Sequence, residues 1–261
     1  MPEIVEVRIM SEFINKNSKD KIFTKLFHVE KGNNAIDSNL IENFKVKSDS
    51  NGKELKLEVF NESKFLKFSI FMGMSGNWKF VPTNEWNNTK FIRMRLDTND
   101  GYSLLLYGGY LGPKYKLGEF TGVERGPDPI KQFEEFKNNI LSNINNKVFD
   151  KPICEVLLNQ RFFNGIGNYC RSSILYYLDV NPFEMGRNVI INNPTILDLC
   201  RDIPLKSYEL NGGQLKDWKN PNDVDSDKFK EWVFYQKGLS CKDSDGRTFW
   251  YSEKWKDKCP Y

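Results

Sequence analysis

Seven residues at the start of the chain, Met1-Pro2-Glu3-Ile4-Val5-Glu6-Val7, carry the side chains best suited to chemistry. Pro2 is small enough for the initiator methionine before it to be trimmed, which exposes a secondary amine. Such an amine is a nucleophile that forms an iminium with an aldehyde carbon, and a carboxylate beside it can move protons. Glu3 is that neighbour, and Glu6 stands one turn further on if the stretch opens a helix. A polar chain start that caps a helix accounts for the same residues, since proline in a first helical turn is ordinary.

Candidate phosphate ligands lie far from this start and from one another. Lys53 directly follows Asn51-Gly52, a hairpin-turn pair, where a long cation projects from a strand end or rests in solvent. Gly165-Ile166-Gly167-Asn168 precedes a helical pattern. A tight turn there presents N–H groups to a phosphate, or it is a plain helix–turn–helix packing unit. Asp245-Gly246 reads as a two-residue hairpin turn with Arg247 beside its tip and Phe249, Trp250 and Tyr251 as anchors. A guanidinium in that position suits a phosphate. Gly73 and Gly76 flank Met74, an apolar tip that is either covered by a neighbour or free to act as a wedge. The one histidine, His28, sits in Leu-Phe-His-Val and reads as a strand-face residue.

The 261 residues suffice for two modest domains or one large one. With 39% hydrophobic and 14% aromatic residues, a disordered chain is excluded. Lys plus Arg number 38 against 35 Asp plus Glu, so a nucleic-acid surface must come from local placement rather than bulk charge. No apolar run reaches the ~20 residues of a membrane span, and no charged-then-apolar leader opens the chain. The expectation is a soluble, intracellular protein without membrane attachment. Five cysteines without regular spacing argue against a disulfide framework.

The positioning elements follow from periodicity. Ile4, Val7, Met10, Phe13 and Ile14 predict an amphipathic helix over 3–16. Strands are expected at 21–29 and 40–48, with a loop between them, then at 55–59, 65–74, 91–96 and 102–107; Leu55, Leu57 and Val59 alternate with charged residues. Residues 108–127 are rich in Gly and Pro. Asp128-Pro129 marks a helix start, and Ile130, Phe133, Phe136, Ile140, Leu141 and Ile144 follow at helical spacing. Further helices are expected from Pro152 to about Gln160 and over 169–178, and a polar loop over 210–228. Strands first and helices later predict an α+β protein. An N-terminal helix and antiparallel β-sandwich occupy 1–117, a linker 118–127 and a helical domain 128–261, with a helix–turn–helix unit at about 152–178 and a terminal hairpin at about 235–255.

These pieces in this order resemble one family. Met-Pro-Glu-x-x-Glu-Val, Gly52-Lys53, Met72-Gly-Met-Ser-Gly76, Gly126-Pro-Asp-Pro129, Asn159-Gln160 through Gly165-Ile-Gly-Asn168, Gly212-Gly-Gln-Leu-Lys-Asp-Trp218 and Gly246-Arg-Thr-Phe-Trp250 are similar to the formamidopyrimidine-DNA glycosylase/endonuclease VIII family of base-excision repair, over nearly the whole chain. The resemblance implies a bifunctional DNA glycosylase and abasic-site lyase that works by an N-terminal proline Schiff base and β,δ-elimination. Its partner would be damaged DNA, single- or double-stranded, and it would act as a monomer without cofactor. Pro2 would attack C1′, Glu3 would act as acid and base, and Glu6 would sit in the same pocket. Lys53, Asn168 and Arg247 would hold phosphates, with Lys53 and Arg247 counted among the catalytic set. Met74 would fill the gap left by the flipped nucleotide. The unit at 152–178 would be a helix–two-turns–helix.

Several departures accompany the resemblance. Val5 replaces a second proline. Tyr107-Gly-Gly-Tyr-Leu-Gly112 lacks the arginine that usually supports the orphaned base. Cys241 matches the first of four zinc-binding cysteines, but Ser252 and Trp255 stand where the last pair would fall, and Cys241 with Cys259 cannot close a tetrahedral site. The terminal hairpin is therefore similar to the zincless finger of Nei-like proteins, and no metal is implied. The short polar segment at about 219–228 implies oxidised pyrimidines and hydantoins over 8-oxoguanine. Two other readings stand beside this one. One is a non-catalytic damaged-DNA or structured-RNA binding module. The other is a lyase acting only on pre-formed abasic sites.

Overall fold

The computed structural model describes residues 2–29, 35–38, 40–118, 124–213 and 218–260, with backbone alone at 35–38. Contacts divide the chain into two compact units, Met1–Gly122 with Asn211–Ser226, and Val123–Leu210 with Asp227–Tyr261.

The first unit begins with helix α1 (Ile4–Ser18), which buries Ile4, Val5, Val7, Ile9, Met10, Phe13 and Ile14. Its start is fixed by a capping box in which Glu3 is the N-cap and Glu6 the third helical residue, so two N–H groups that the helix leaves unpaired are satisfied reciprocally. Among the described residues nine strands follow: β1 (Phe23–Val29), β2 (Ala35–Ser38), β3 (Lys45–Asn51), β4 (Glu54–Phe60), β5 (Phe65–Phe71), β6 (Asn77–Pro82), β7 (Ile92–Thr98), β8 (Tyr102–Tyr107) and β9 (Lys114–Leu117). They form two antiparallel sheets, β2-β1-β7-β8-β6 and β3-β4-β5-β9. In β4, Leu55, Leu57 and Val59 point into the core and Glu54, Lys56 and Glu58 point away, as their alternation requires. Phe23 and Phe44 join the sheets by exchanging backbone hydrogen bonds of 2.8 and 2.9 Å.

Some elements differ from those expected. The strand expected at 40–48 is β3 at Lys45–Asn51, and a strand, β2, occupies part of the expected loop. Strand β6 was not anticipated, nor was β9 within the Gly- and Pro-rich stretch. Four-residue strands such as β2 and β9 are specified by the neighbour they pair with rather than by their own pattern. The segment Asn211–Ser226, which the sequence placed in the second domain, packs with the first unit. Bonds that hold it there include Asn77 Nδ2 donating to Lys219 O at 2.8 Å and Gly213 N donating to Glu6 Oε1 at 2.6 Å.

The second unit contains α2 (Phe133–Ser142), α3 (Ile153–Val156), α4 (Asn168–Leu178), α5 (Gly186–Asn192), α6 (Thr195–Glu209), α7 (Asp227–Trp232) and the hairpin β10 (Leu239–Lys242)–β11 (Thr248–Tyr251). Asp128 does cap a turn, accepting from Ile130 N and Lys131 N at 2.8 and 3.1 Å, but α2 begins only at Phe133. The helix expected to run from Pro152 to Gln160 ends at Val156. Beyond it, Asn159 Oδ1 takes the Arg161 N–H, and the Gln160 amide bonds Leu158 O, Ile166 O and Gly165 N, all at 3.0 Å. These side chains supply the backbone partners that a continuing helix would otherwise provide. No helix among the described residues is long and apolar enough to cross a membrane.

Strand β3 is an edge strand, yet its mid-point is not left open. Asn15 of α1 donates Nδ2 to Ser48 O at 2.8 Å and accepts the Ser48 N–H on Oδ1 at 2.7 Å, taking the place of a neighbouring peptide. Replacing Asn15 with Leu leaves a part-buried N–H and C=O unpaired, a cost of about 1–3 kcal/mol. We expect thermal unfolding to shift down by about 3–8 °C. An unchanged midpoint would mean that water replaces the amide without loss.

Candidate active site

Pro2, Glu3 and Glu6 are all buried at the start of α1. Burying two carboxylates is costly unless N–H groups are aimed at them. Glu6 meets that demand with both oxygens, since Oε2 accepts Glu3 N at 2.7 Å and Oε1 accepts Gly213 N at 2.6 Å. The first bond fixes the peptide that joins Pro2 to Glu3. The second ties the Gly212-Gly213 turn to the same carboxylate. Gly212 has φ +74°, and a Cβ there would press on Ile9 Cδ1 at 2.7 Å, so the approach of this turn to α1 depends on glycine. Of the remainder of the expected Gly-Gly motif, residues 214–217 lie outside the described residues and Trp218 is buried.

Lys53 and Met74 come to one end of the β3-β4-β5-β9 sheet. The register pairs Asn51 with Glu54, Glu54 with Phe71 and Phe71 with Lys114, so the β3–β4 turn lies beside the loops that leave β5 and enter β9. The turn itself is Gly52-Lys53, with Gly52 at φ +56°. Lys53 is therefore a turn residue, one position earlier than a strand-end residue. Met74 is 40% exposed, and its N–H donates to Leu111 O at 2.8 Å. Gly73, at φ +59°, lets the two loops approach, since a Cβ there would collide with the carbonyl oxygens of Leu111 and Gly112. The loop without the arginine thus places Leu111 next to the Met74 backbone, with Tyr110 90% exposed beside it.

In the second unit, Asn168 opens α4, and the first helical bond runs from Arg171 N to Gly167 O at 2.9 Å. Its side chain turns toward the hairpin. Nδ2 donates to Thr248 O at 2.7 Å and Oδ1 accepts Arg171 Nε at 2.8 Å. The hairpin loop is longer than the two residues expected. Lys242 pairs with Thr248, Asp243 N bonds Arg247 O at 3.0 Å, and Gly246 turns at φ +76°. Asp243 is the reason, because its Oδ1 gathers the N–H groups of Asp245 and Arg247 at 3.1 and 2.8 Å. Arg247 is exposed and rests on Asp245 Oδ2 at 2.9 Å. Such a surface pair is worth about 0–1 kcal/mol, so a phosphate can displace it.

Asp243 also meets Arg171, and this pair went unremarked in the sequence. Arg171 Nη1 lies 2.8 Å from Asp243 Oδ2, with side-chain exposures of 0% and 2%. Burial pushes the Asp243 carboxyl up, but the hydrogen bonds from Arg171 and from Arg247 N outweigh it and hold the group below the usual carboxylate range. The available signal was an arginine three residues into a helix whose neighbours Tyr169, Cys170, Ile174 and Leu175 are apolar or aromatic. Burial, followed by a hydrogen bond with Cys259, pushes the Cys241 thiol up to about 12.

No family model matches the chain. Individual relatives do. Human Endonuclease 8-like 1 is 30% identical, with 96% of this chain and 72% of the relative covered. Endonuclease 8 of Salmonella arizonae is 25% identical over 93% of this chain and 91% of its own. Among solved structures, the MutM (Fpg) protein of Thermus thermophilus superposes with a TM-score of 0.79 at 18% identity, covering 99% of this chain and 100% of that one. A Lactococcus lactis Fpg mutant, solved in complex with a Fapy-dG containing DNA, reaches a TM-score of 0.77 at 15% identity, covering 97% of this chain and 99% of that one. The likeness in fold extends over nearly the full length, and the match to the human relative covers 96% of the chain. The chain belongs to the formamidopyrimidine-DNA glycosylase/endonuclease VIII family of base-excision repair DNA glycosylases.

Proposed function

We propose that the protein is a bifunctional DNA glycosylase and abasic-site lyase whose nucleophile is the amine of Pro2, freed by removal of Met1. The observation that carries this reading is the clamp around the chain start. A flexible terminus would gain nothing from a buried carboxylate with both oxygens committed to backbone N–H groups, whereas a terminus that must hold one attack angle does. Glu3, the residue next to the Pro2 amine and the cap of α1, is assigned the proton work.

A chain-end amine titrates near ~8, so a useful fraction is neutral at physiological pH. Its lone pair attacks C1′ of the damaged nucleotide and the base leaves with the glycosidic electron pair. Glu3 protonates the ring oxygen, the sugar opens, and C1′ becomes an iminium carbon. That cation acidifies C2′, whose proton leaves as the 3′ phosphate is expelled. A second elimination releases the 5′ phosphate, and water hydrolyses the iminium to restore the amine. Lys53, Asn168 and Arg247 hold phosphates on the way, and Met74 occupies the vacated stack. The short polar segment 219–228 favours oxidised pyrimidines and hydantoins over 8-oxoguanine.

The test is a panel of single- and double-stranded oligonucleotides carrying thymine glycol, a hydantoin, 8-oxoguanine or a pre-formed abasic site. Lesion strands should be converted to products with phosphate on both sides of a one-nucleotide gap, thymine glycol faster than 8-oxoguanine opposite cytosine. Pro2→Gly, which leaves a primary amine, should slow both base release and strand cleavage roughly ten-fold or more, equivalent to about 1.4 kcal/mol of barrier. Cleavage of abasic strands with no base release would reduce the protein to a lyase, and binding without turnover would make it a recognition module.

Met74→Ala should slow turnover on a paired lesion about ten-fold, part of the few kcal/mol that unstacking a base costs. Cleavage of a single-stranded abasic site should change less than two-fold, because no stack has to be opened. Equal losses on both substrates would make Met74 a packing residue.

A further inference from the structure

We infer that Arg171 is a positioning residue for DNA binding, whose buried pairing with Asp243 sets the hairpin tip and hence Arg247. The inference rests on the reading of the hairpin as a phosphate-binding finger given above. A fully buried guanidinium is tolerated only when its donors are met, and here they reach across three segments. Nε donates to Asn168 Oδ1 at 2.8 Å, Nη1 to Cys154 O at 2.9 Å and to Asp243 Oδ2 at 2.8 Å. The guanidinium carbon lies 5.0 Å from the Phe249 ring centre. Arg171 thus binds α3, its own helix and the hairpin at once.

What distinguishes this from plain core packing is where the second oxygen of Asp243 goes. Oδ1 accepts the Arg247 N–H at 2.8 Å and the Asp245 N–H at 3.1 Å, and Asp243 N donates to Arg247 O at 3.0 Å. One carboxylate therefore stands between the buried guanidinium and the backbone of the exposed arginine. On the other side, Asn168 receives Arg171 on Oδ1 and passes a bond from Nδ2 to Thr248 O at 2.7 Å, the residue directly after Arg247. Arg247 is bracketed, and both brackets end on Arg171. Apart from these ties, the loop residues Ser244, Asp245 and Gly246 are exposed, and the Ser244 N–H is held by Glu155 Oε1 at 3.0 Å. A pair of apolar residues of similar volume would often fold as stably, but it would supply no acceptor for the tip.

The consequence is that Arg171 and Arg247 should act as one unit. The test is a double-mutant cycle read as affinity for a duplex bearing a tetrahydrofuran abasic-site analogue, measured across a salt series. Arg247→Ala should weaken binding about ten-fold and flatten the dependence on log salt by about one unit, the loss of one phosphate contact. Arg171→Met should produce a similar weakening and the same flattening, and adding Arg247→Ala to it should cost less than two-fold more. Arg171→Lys, which keeps the charge and the Asp243 pair, should recover part of the loss. If Arg171→Met fails to fold, Asp243→Asn closes the same cycle, since it retains the Oδ1 acceptor while removing the ion pair. Additive losses would assign Arg171 to packing alone and overturn the inference. An Arg247→Ala variant with unchanged affinity and slope would remove the phosphate role of the hairpin itself, and the inference with it.

Discussion

A carboxyl group taken out of water must be given hydrogen-bond partners, and the arrangement of the chain start follows from how Glu6 satisfies that constraint. One oxygen takes the Glu3 N–H and the other the Gly213 N–H. The first requires α1 to begin where it does, with Glu3 as cap. The second requires a chain that has travelled through the second unit to return and lay a glycine turn against α1. Removing the donors would leave a buried charge, and removing the carboxylate would leave two buried donors, each worth about 1–3 kcal/mol. The chain start is held by an arrangement in which every member depends on the others.

The second unit solves a similar problem with the opposite charge. Arg171 is buried because Asp243, Asn168 and Cys154 O meet it, and those same groups shape the turn that presents Arg247. In each unit a buried charged side chain draws together segments distant in sequence: Glu6 joins Glu3 N and Gly213 N, and Arg171 joins Asn168, Cys154 O and Asp243. These hydrogen bonds act together with the apolar packing of α1 and of Phe249 and Tyr251 in the hairpin.

Long elements with a clear period could be read from the chain. Helix α1 follows from Ile4, Val7, Met10 and Phe13, and β4 from the alternation around Leu55, Leu57 and Val59. Short strands such as β2 and β9 could not, because their identity lies in the neighbour they pair with. Helices α5 and α6 were missed where polar residues and an internal Pro204 blur the repeat. Of the proposed site, Pro2, Glu3, Glu6, Lys53, Met74, Asn168 and Arg247 stand out in the sequence as residue types at turns and ends. Their partners do not. Gly213 contributes a backbone N–H, which no residue type announces. Asn168 had the look of a phosphate ligand, yet its side-chain oxygen and one amide bond serve the hairpin. Arg171 stands among helix residues with nothing in its own type to show that it is buried, and its partner lies 72 residues further along the chain.

The central claim is chemical, and one measurement addresses it directly. The protein, with Met1 removed as verified by mass, is incubated with a strand containing an abasic site in the presence of borohydride. The cross-linked product is then digested and the adduct located. Reduction should capture the iminium and leave DNA joined to the peptide that begins at residue 2, with no capture when Met1 or a tag blocks that nitrogen. Undiminished capture by blocked protein, or an adduct on a lysine, would show that the nucleophile lies elsewhere and that the clamped chain start serves another purpose.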